Sequence, residues 1–389
     1  MSVNALNFEQ AATILNSLVS QATGEASLAP VDLSGYISVG QKALRTGYDP
    51  LAIGISQMVS RTIFAIRNYN SPLNILRRTD DEYGAIVRKI SAVKQPFTND
   101  DVYQTTTPSM FEARLPSLWQ SNFYGFDVWQ DDVAITRQQL KNAVMNPGEM
   151  GRLIDLILGT KANEMEQGRE AFERATLANL IGAIAAMGNT NQNRHLLTEY
   201  NSETGKSLTA VTVKDPANYG DFVKWAYATI AQASDMLTEY TSAFHLNPTG
   251  GYIQRHTPKE DQRIFVYNRN LHDIGARVLA DTFNSSMVSE AVPYTASLNF
   301  FQALSNPDSV SVTPAYIDGS GAQVTAEPVT VDNIFAVIVD RDALGTNYHD
   351  QSVDVSPFDS RNKRYNYWYH EARRYWVDVT ENSILFTLD

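Results

Sequence analysis

Along residues 7–24, apolar side chains recur at helical spacing, with Phe8, Ala11, Leu15, Leu18 and Val19 on one stripe. The pattern predicts a short amphipathic helix. A second stripe, Leu51, Ile55, Met58, Val59, Ile63 and Ile66, follows Asp49-Pro50. That pair is a cap and a proline suited to the first helical position. Residues 24–48 between them are rich in Gly, Ser and Pro and read as a link that wanders over a surface. Two readings stand side by side for this N-terminal stretch: two helices packed on their own chain, or an extended arm docked on a neighbouring one.

Residues 77–131 change character. Ala85 to Val93 and Phe123 to Trp129 lean towards strand, and Pro96 to Ser109 is a polar middle rich in Thr and Asp. Charges sit among the strand residues rather than beside them. This suits a long hairpin with little core of its own, which is marginal unless another surface covers it. The covering surface is either its own domain or a neighbouring subunit.

Asn146-Pro147 opens the longest helical pattern, from Gly148 to Met187, and Gly188-Asn189 closes it. Apolar positions flank a charged centre that holds Glu164, Glu166, Arg169, Glu170, Glu173 and Arg174. Glu170 and Arg174 are spaced for an i,i+4 pair. One helix over 148–187 is about 60 Å long, whereas a compact globule of this chain length has a radius of gyration of about 21 Å. The helix is therefore expected to be the spine of an elongated plate. Residues 189–215 read as a polar crossing. A helix over 219–240, a strand over 263–267, a helix over 271–284 and β-leaning loops to about 330 follow. The chain ends in strands at 334–339, 365–369, 375–379 and 384–388.

Composition narrows the chemistry. The 389 residues contain no cysteine and carry a formal charge of −12, so there is no disulfide framework or thiolate site. The acidic balance opposes general adhesion to nucleic acid. No signal-peptide pattern opens the chain, and no apolar run is long enough to span a bilayer. The expected setting is a soluble chain made in the cytoplasm. Gly205-Lys206-Ser207 is the sole echo of a phosphate loop, but Tyr200 stands where its first glycine belongs. It reads as an exposed turn. The six histidines never fall at metal-ligand spacing, and Asp340-Arg341-Asp342 reads as a turn closing a strand. Neither a catalytic, a cofactor-binding nor a metal site is expected.

The stretch RNKRYNYWYHEARRYWVDV, residues 361–379, mixes aromatic and basic side chains as a nucleic-acid surface does. Yet Tyr365, Tyr367 and Tyr369 alternate with Asn366, Trp368 and His370, which is strand periodicity with side chains on two faces. A buried strand is the reading, with basic clusters at Arg361 to Arg364 before it and at Arg373-Arg374 in the following turn.

Ala336 to Asp342 (AVIVDRD) followed by Asn362 to His370 (NKRYNYWYH) resembles the C-terminal part of major capsid proteins of small short-tailed bacteriophages, members of the Hong Kong 97-like fold family. Trp129 to Val144 and Val278 to Asn284 support the resemblance. It implies an α+β chain: N-terminal arm and lead-in helices (1–76), extended β-hairpin or E-loop (77–131), peripheral domain with the spine helix (132–215), axial domain (216–332) and return strands of the peripheral domain (333–389). No extra C-terminal immunoglobulin-like module is expected. The implied protein is a virion shell subunit, made in the host bacterial cytoplasm and assembling with itself into pentamers and hexamers of an icosahedral head. Its further partners would be a scaffolding protein, a portal and decoration proteins, with weak non-specific contact to packaged double-stranded DNA and none to membranes. The interface candidates are the hairpin charges Arg77, Arg78, Asp80, Asp81, Arg88, Lys89, Lys94, Asp100 and Asp101. An encapsulin-like nanocompartment shell shares the implied fold and differs in cargo. A polysaccharide-active enzyme using the aromatic C-terminus is the more distant alternative.

Overall fold

The computed structural model describes residues 8–23, 32–45, 49, 52–53, 70–78, 87–93, 117–123, 126–148, 150, 161–273 and 296–389. Helix α1 (Phe8–Thr23) realises the first stripe and buries Ala11, Ala12, Leu15 and Val19. The link expected to wander contains a second helix, α2 (Leu33–Arg45). Asp32 starts it, accepting from the Gly35 N–H at 2.7 Å and the Ser34 hydroxyl at 2.9 Å, as an N-cap does. The same two bonds hold the Asp32 carboxyl below its ordinary pKa. Tyr36 is fully buried. Gly40 lets α2 approach α3 (Arg137–Met145) so closely that a β-carbon there would fall 2.3 Å from the Val144 carbonyl oxygen. The glycine that suggested a loop is a packing residue. Most of the second stripe, Leu51 to Ile66, lies outside the described residues.

The first strands are β1 (Arg77–Arg78), β2 (Val87–Val93), β3 (Ser117–Phe123) and β4 (Asp127–Thr136). Among the described residues the hairpin consists of β2 paired antiparallel with β3. The range 77–131 thus also takes in strands of the body, because β1 and β4 belong to a larger sheet. Trp129 lies in β4 and not in the hairpin. Thr136 and Gln139 form a reciprocal capping box that turns β4 into α3.

Helix α4 (Lys161–Met187) is the described part of the expected spine; it passes Gly168 without a break and stops at Gly188, whose φ is +63°. Residues 151–160 are outside the described set. The expected polar crossing instead holds β5 (Asn193–His195) and α5 (Leu196–Thr204), the latter burying Leu196, Leu197 and Tyr200. Gly205 is its left-handed cap, so the GKS stretch is a helix end. Helix α6 (Pro216–Met236) and β6 (Gln262–Tyr267) follow. Residues 268–273 begin the helix expected at 271. Then come β7 (Ala296–Leu298), β8 (Val310–Val312), β9 (Ala315–Ile317), β10 (Gln323–Thr325) and β11 (Val329–Val331). The last strands are β12 (Ile334–Asp340), β13 (Leu344–Val355), β14 (Arg364–Val377) and β15 (Ser383–Thr387).

Two sheets organise these elements. One has the order β1-β13-β14-β4, the other β5-β15-β12-β6-β7. Strand β14 is one 14-residue element, so Arg373 and Arg374, expected in a turn, lie inside a strand. In the second sheet, β12 lies between β15 and β6. Every residue of β12 is buried, as expected of a strand covered on both faces. Phe222, Ile230, Ile264, Phe335 and Ile384 form the core beneath α5 and α6. On the other face, Leu177, Leu180, Ile181 and Ile184 of α4 meet Phe265, Val337, Val339 and Leu385. A third core joins α1 and α2 to Leu140, Val144 and the alternating Tyr365, Tyr367 and Tyr369 of β14. Burial pushes the Tyr367 and Tyr369 hydroxyls up in pKa.

Leu180→Asp puts a carboxylate into a fully buried site. It is expected to cost several kcal/mol (about 3–5), read as a lower urea midpoint. Deleting residues 1–48 uncovers the tyrosine layer, and a lower thermal midpoint by circular dichroism is expected. An unchanged midpoint would place α1 and α2 outside the cooperative core.

Candidate interaction surface

Most of the charged centre of α4 is buried: Glu166, Glu170, Glu173 and Arg174 fully, Arg169 in part, with Glu164 exposed. Glu166, Arg169, Glu170, Glu173 and Arg174 are spaced by three and four, so they share one side of the helix. That side faces β13 and β14. Arg77 of β1 reaches Glu166 with both terminal nitrogens, at 2.8 and 3.0 Å, and Glu173 with Nε. Arg169 bonds Glu371 of β14, with Nε at 2.9 Å from Oε2, and Arg373 Nε donates to the other Glu371 oxygen at 2.8 Å. The Ser71 hydroxyl and the Tyr348 hydroxyl donate to Glu173 at 2.8 and 3.2 Å. Glu173 and Glu371 are both fully buried. Three guanidinium groups, Arg77, Arg169 and Arg373, thus face three carboxylates, Glu166, Glu173 and Glu371. Tyr348 lies under Arg169 and Arg77 at 5.1 and 5.6 Å, and Trp129 lies under Arg373 at 4.2 Å. Beside them Arg174 grips Glu170, Nη2 at 2.6 Å, the i,i+4 pair expected from spacing.

Burial alone would raise the Glu166 carboxyl, but bonds from Arg77 and the Ser71 N–H outweigh it and hold the pKa below its usual value. Burial likewise opposes the charge on Arg77, and its two glutamates overcome it. Tyr348 is pushed up by burial and by Glu173. Every carboxylate here is neutralised by a cation, and no nucleophile or uncommitted base stands among them. The layer fixes the four-stranded sheet to the spine helix.

The hairpin root is a second charged cluster. Lys89 of β2 pairs with Asp378 at 2.8 Å and with Glu381. Arg255 pairs with Glu381 at 2.9 Å, donates to the Thr380 carbonyl at 2.7 Å and to the Ser91 hydroxyl at 2.8 Å. Burial pushes the Glu381 carboxyl up to about 7, against the pull of Lys89 and Arg255. Burial also acts on Asp378, but Lys89 and the Thr380 donors keep it below the usual carboxylate value.

The expected interface residues therefore separate. Arg77 is inside the buried layer, Arg78 donates to the Arg341 carbonyl at 2.7 Å and pairs with Asp342, and Lys89 is committed to the root. Arg88 is exposed on the outer face of the hairpin, opposite Asn122. Asp80, Asp81, Lys94, Asp100 and Asp101 lie outside the described residues. Arg341 turns to Asp261 rather than to its neighbouring aspartates. Asp378, Glu381 and Arg255 were not among the expected residues; the sequence signal was the polar run Asp378 to Asn382 between two strands.

The outer hairpin face mixes polar and apolar side chains, Arg88, Gln120 and Asn122 beside Ile90, Ala92 and Leu118. Ile90 and Leu118 are 56% and 65% exposed and flank each other diagonally across the register. Beyond the β3–β4 connection, Phe126 and Val128 are also exposed, as is Tyr375. Phe126 and Tyr375, with Phe123, Phe172, Tyr316 and Trp376, line a cleft of about 380 Å³. Clustered apolar exposure marks a surface that another molecule covers.

The family model described as "Phi29-like phage major capsid protein" matches residues 13–387. Among solved structures, the chain is similar to one from the capsid of Staphylococcus phage Andhra, with 11% identity, a TM-score of 0.55, and 83% of this chain and 88% of that chain covered. It is also similar to a chain in the structure of the head fiber and inner core protein of native bacteriophage P68, with 12% identity, a TM-score of 0.55, and 82% and 85% covered. These likenesses are of fold. A search of curated proteins finds no sequence match.

Glu371→Gln removes the carboxylate that Arg169 and Arg373 share, and Arg169→Met leaves the buried Glu371 with Arg373 alone. Both are expected to lower the unfolding free energy by about 3–5 kcal/mol. Arg88→Glu should stay within about 0.5 kcal/mol of the parent protein. Urea unfolding followed by circular dichroism measures all three, and a loss below about 1 kcal/mol for Glu371→Gln would mean that the layer is solvated.

Proposed function

Because the chain belongs to the Phi29-like phage major capsid protein family, we propose that it forms the closed wall of an icosahedral head, as pentamers and hexamers around double-stranded DNA. It is a structural protein of the virion. The division into arm, extended hairpin, peripheral domain and axial domain is part of this reading, as is the Hong Kong 97-like name for the fold. So are the further partners: a scaffolding protein, a portal and decoration proteins. Host-cytoplasm synthesis and the absence of an enzymatic activity complete it.

The observation that carries the reading is the two-faced hairpin. Its inner face is clasped to the body by Lys89 and Ser91, while Ile90 and Leu118 stand in solvent on the outer face. A two-stranded ribbon with large apolar side chains in solvent is marginal alone, and a second copy of the chain is what a shell supplies to cover it. The net charge of −12 suits a wall that must not grip the genome, since cationic contacts bind phosphates by releasing counterions. Small contacts then add over a closed shell.

The test is assembly. Expressed with and without its scaffold, the parent protein is expected to give closed shells in negative-stain micrographs. Small oligomers under both conditions would overturn the proposal. Leu118→Glu and Arg88→Glu should keep the far-ultraviolet spectrum, and Leu118→Glu should lose shells. Arg88→Glu should weaken assembly at low salt and recover as salt screens the reversed charge.

A further inference from the structure

The stretch from Arg361 to Val379 mixes cations and rings, and the fold divides it. Its rings belong to β14, where Tyr365, Tyr367 and Tyr369 are buried. Its basic start lies in the turn between β13 and β14, and other segments bring further cations to that turn. The Arg137 N–H, at the start of α3, donates to the Lys363 carbonyl at 3.0 Å, and the Arg137 guanidinium lies over Phe358 at 5.5 Å. Lys141 is one turn further along α3. The Tyr365 hydroxyl donates to Asp49 at 2.7 Å, which tethers the chain just after Arg45. Lys42 and Arg45 form the basic last turn of α2, and α2 packs on α3 through Gly40.

Lys42, Arg45, Arg137, Lys141, Arg361 and Lys363 are all exposed at this end of the four-stranded sheet. Among the described residues, the carboxylates of the same segments are engaged within the fold. Asp32 caps α2, and Asp49 accepts from Tyr365. Asp359 accepts from the Arg361 and Asn362 N–H groups at 3.0 and 3.1 Å, and it pairs with Arg364 at 3.8 Å. Asp132 and Asp354 flank Trp368, about 13 Å along β14 from Arg364. Lys363 has a φ of +50°, a left-handed conformation that glycine adopts at lower cost. A strained position that carries a cation where glycine fits better points to use of the side chain.

We propose that this basic end is where the chain touches duplex DNA, its cations meeting backbone phosphates without reading sequence. The choice of DNA as the anion rests on the shell reading. The formal charge of −12 does not forbid the contact, because the Debye length at physiological salt is about 8 Å. Phosphates docked here are screened from carboxylates on the rest of the chain. Contact by counterion release needs exposed cations and no apolar centre. The core of a protein interface is depleted in charge, lysine included, and Lys42, Lys141 and Lys363 make up half of this group. A subunit with one basic end and an acidic remainder meets DNA in a single orientation, so this end of the sheet faces the genome.

Fluorescence anisotropy tests it, with a labelled random-sequence duplex and the full unassembled chain. Between about 50 and 200 mM salt, the logarithm of the binding constant is expected to fall against that of the salt concentration with a slope of about −3 to −5. Lys141→Glu with Lys363→Glu should make that slope shallower by about 2 and weaken binding about tenfold to a hundredfold at the low-salt end. Lys214→Glu with Lys224→Glu changes the net charge equally at exposed positions beside the five-stranded sheet and should keep the parent slope. Far-ultraviolet spectra check that both pairs fold. No salt-dependent binding by the parent chain, an equal loss in both pairs, or displacement of the duplex by polyglutamate at matched charge would each overturn the proposal; the last would make an acidic protein surface the partner. The measurement needs no shell, so its failure and the failure of the shell reading are read separately.

Discussion

The buried ionic layer between α4 and the β1-β13-β14-β4 sheet is the interaction on which the rest depends. Three arginines and three glutamates out of water form a costly arrangement, since desolvation can exceed the attraction recovered. It holds because the charges balance and nearly every oxygen has a donor: Ser71, Tyr348 and the forks of Arg77, Arg169 and Arg373. Such a layer has one geometry. Apolar packing tolerates a small slip of helix against sheet, whereas a bidentate guanidinium pair does not.

That geometry passes outwards along α4. Its charged first half sets the four-stranded sheet, and its apolar second half, from Leu177 to Ile184, lies on the five-stranded one. One helix therefore registers two sheets. The same strand that carries Glu371 and Arg373 buries Tyr365, Tyr367 and Tyr369 against α1 and α2, so the N-terminal helices are placed by the layer as well.

The hairpin follows a different rule. Among the described residues its two strands contribute to none of the three buried cores, and charged and polar contacts hold its root. Contacts of this kind respond to protons and salt in a way that Leu and Val packing does not. Its outer face exposes Ile90, Leu118 and Arg88. A double-sheet body with a polar-rooted ribbon is a design suited to a subunit whose neighbours complete it.

Periodicity alone determined much of this protein: α1, the spine helix over its described residues Lys161–Met187 with its Gly188 stop, the alternating tyrosines of β14, and the apolar run Ile334 to Val339 of β12. These are local properties, readable because side-chain direction follows from backbone repeat. What only the tertiary structure decided was the meaning of charge and glycine. Residues 24–48 resembled a loop, yet Gly40 is there because α3 comes too near for a β-carbon. Arg373 and Arg374 resembled a turn, yet the carboxylate that makes Arg373 tolerable in a strand, Glu371, is itself tied by Arg169 of α4. Lys89 resembled an interface cation, and its partners Asp378 and Glu381 lie almost three hundred residues on. A charge is exposed or buried according to what faces it, and what faces it is settled by contacts between segments far apart in the chain.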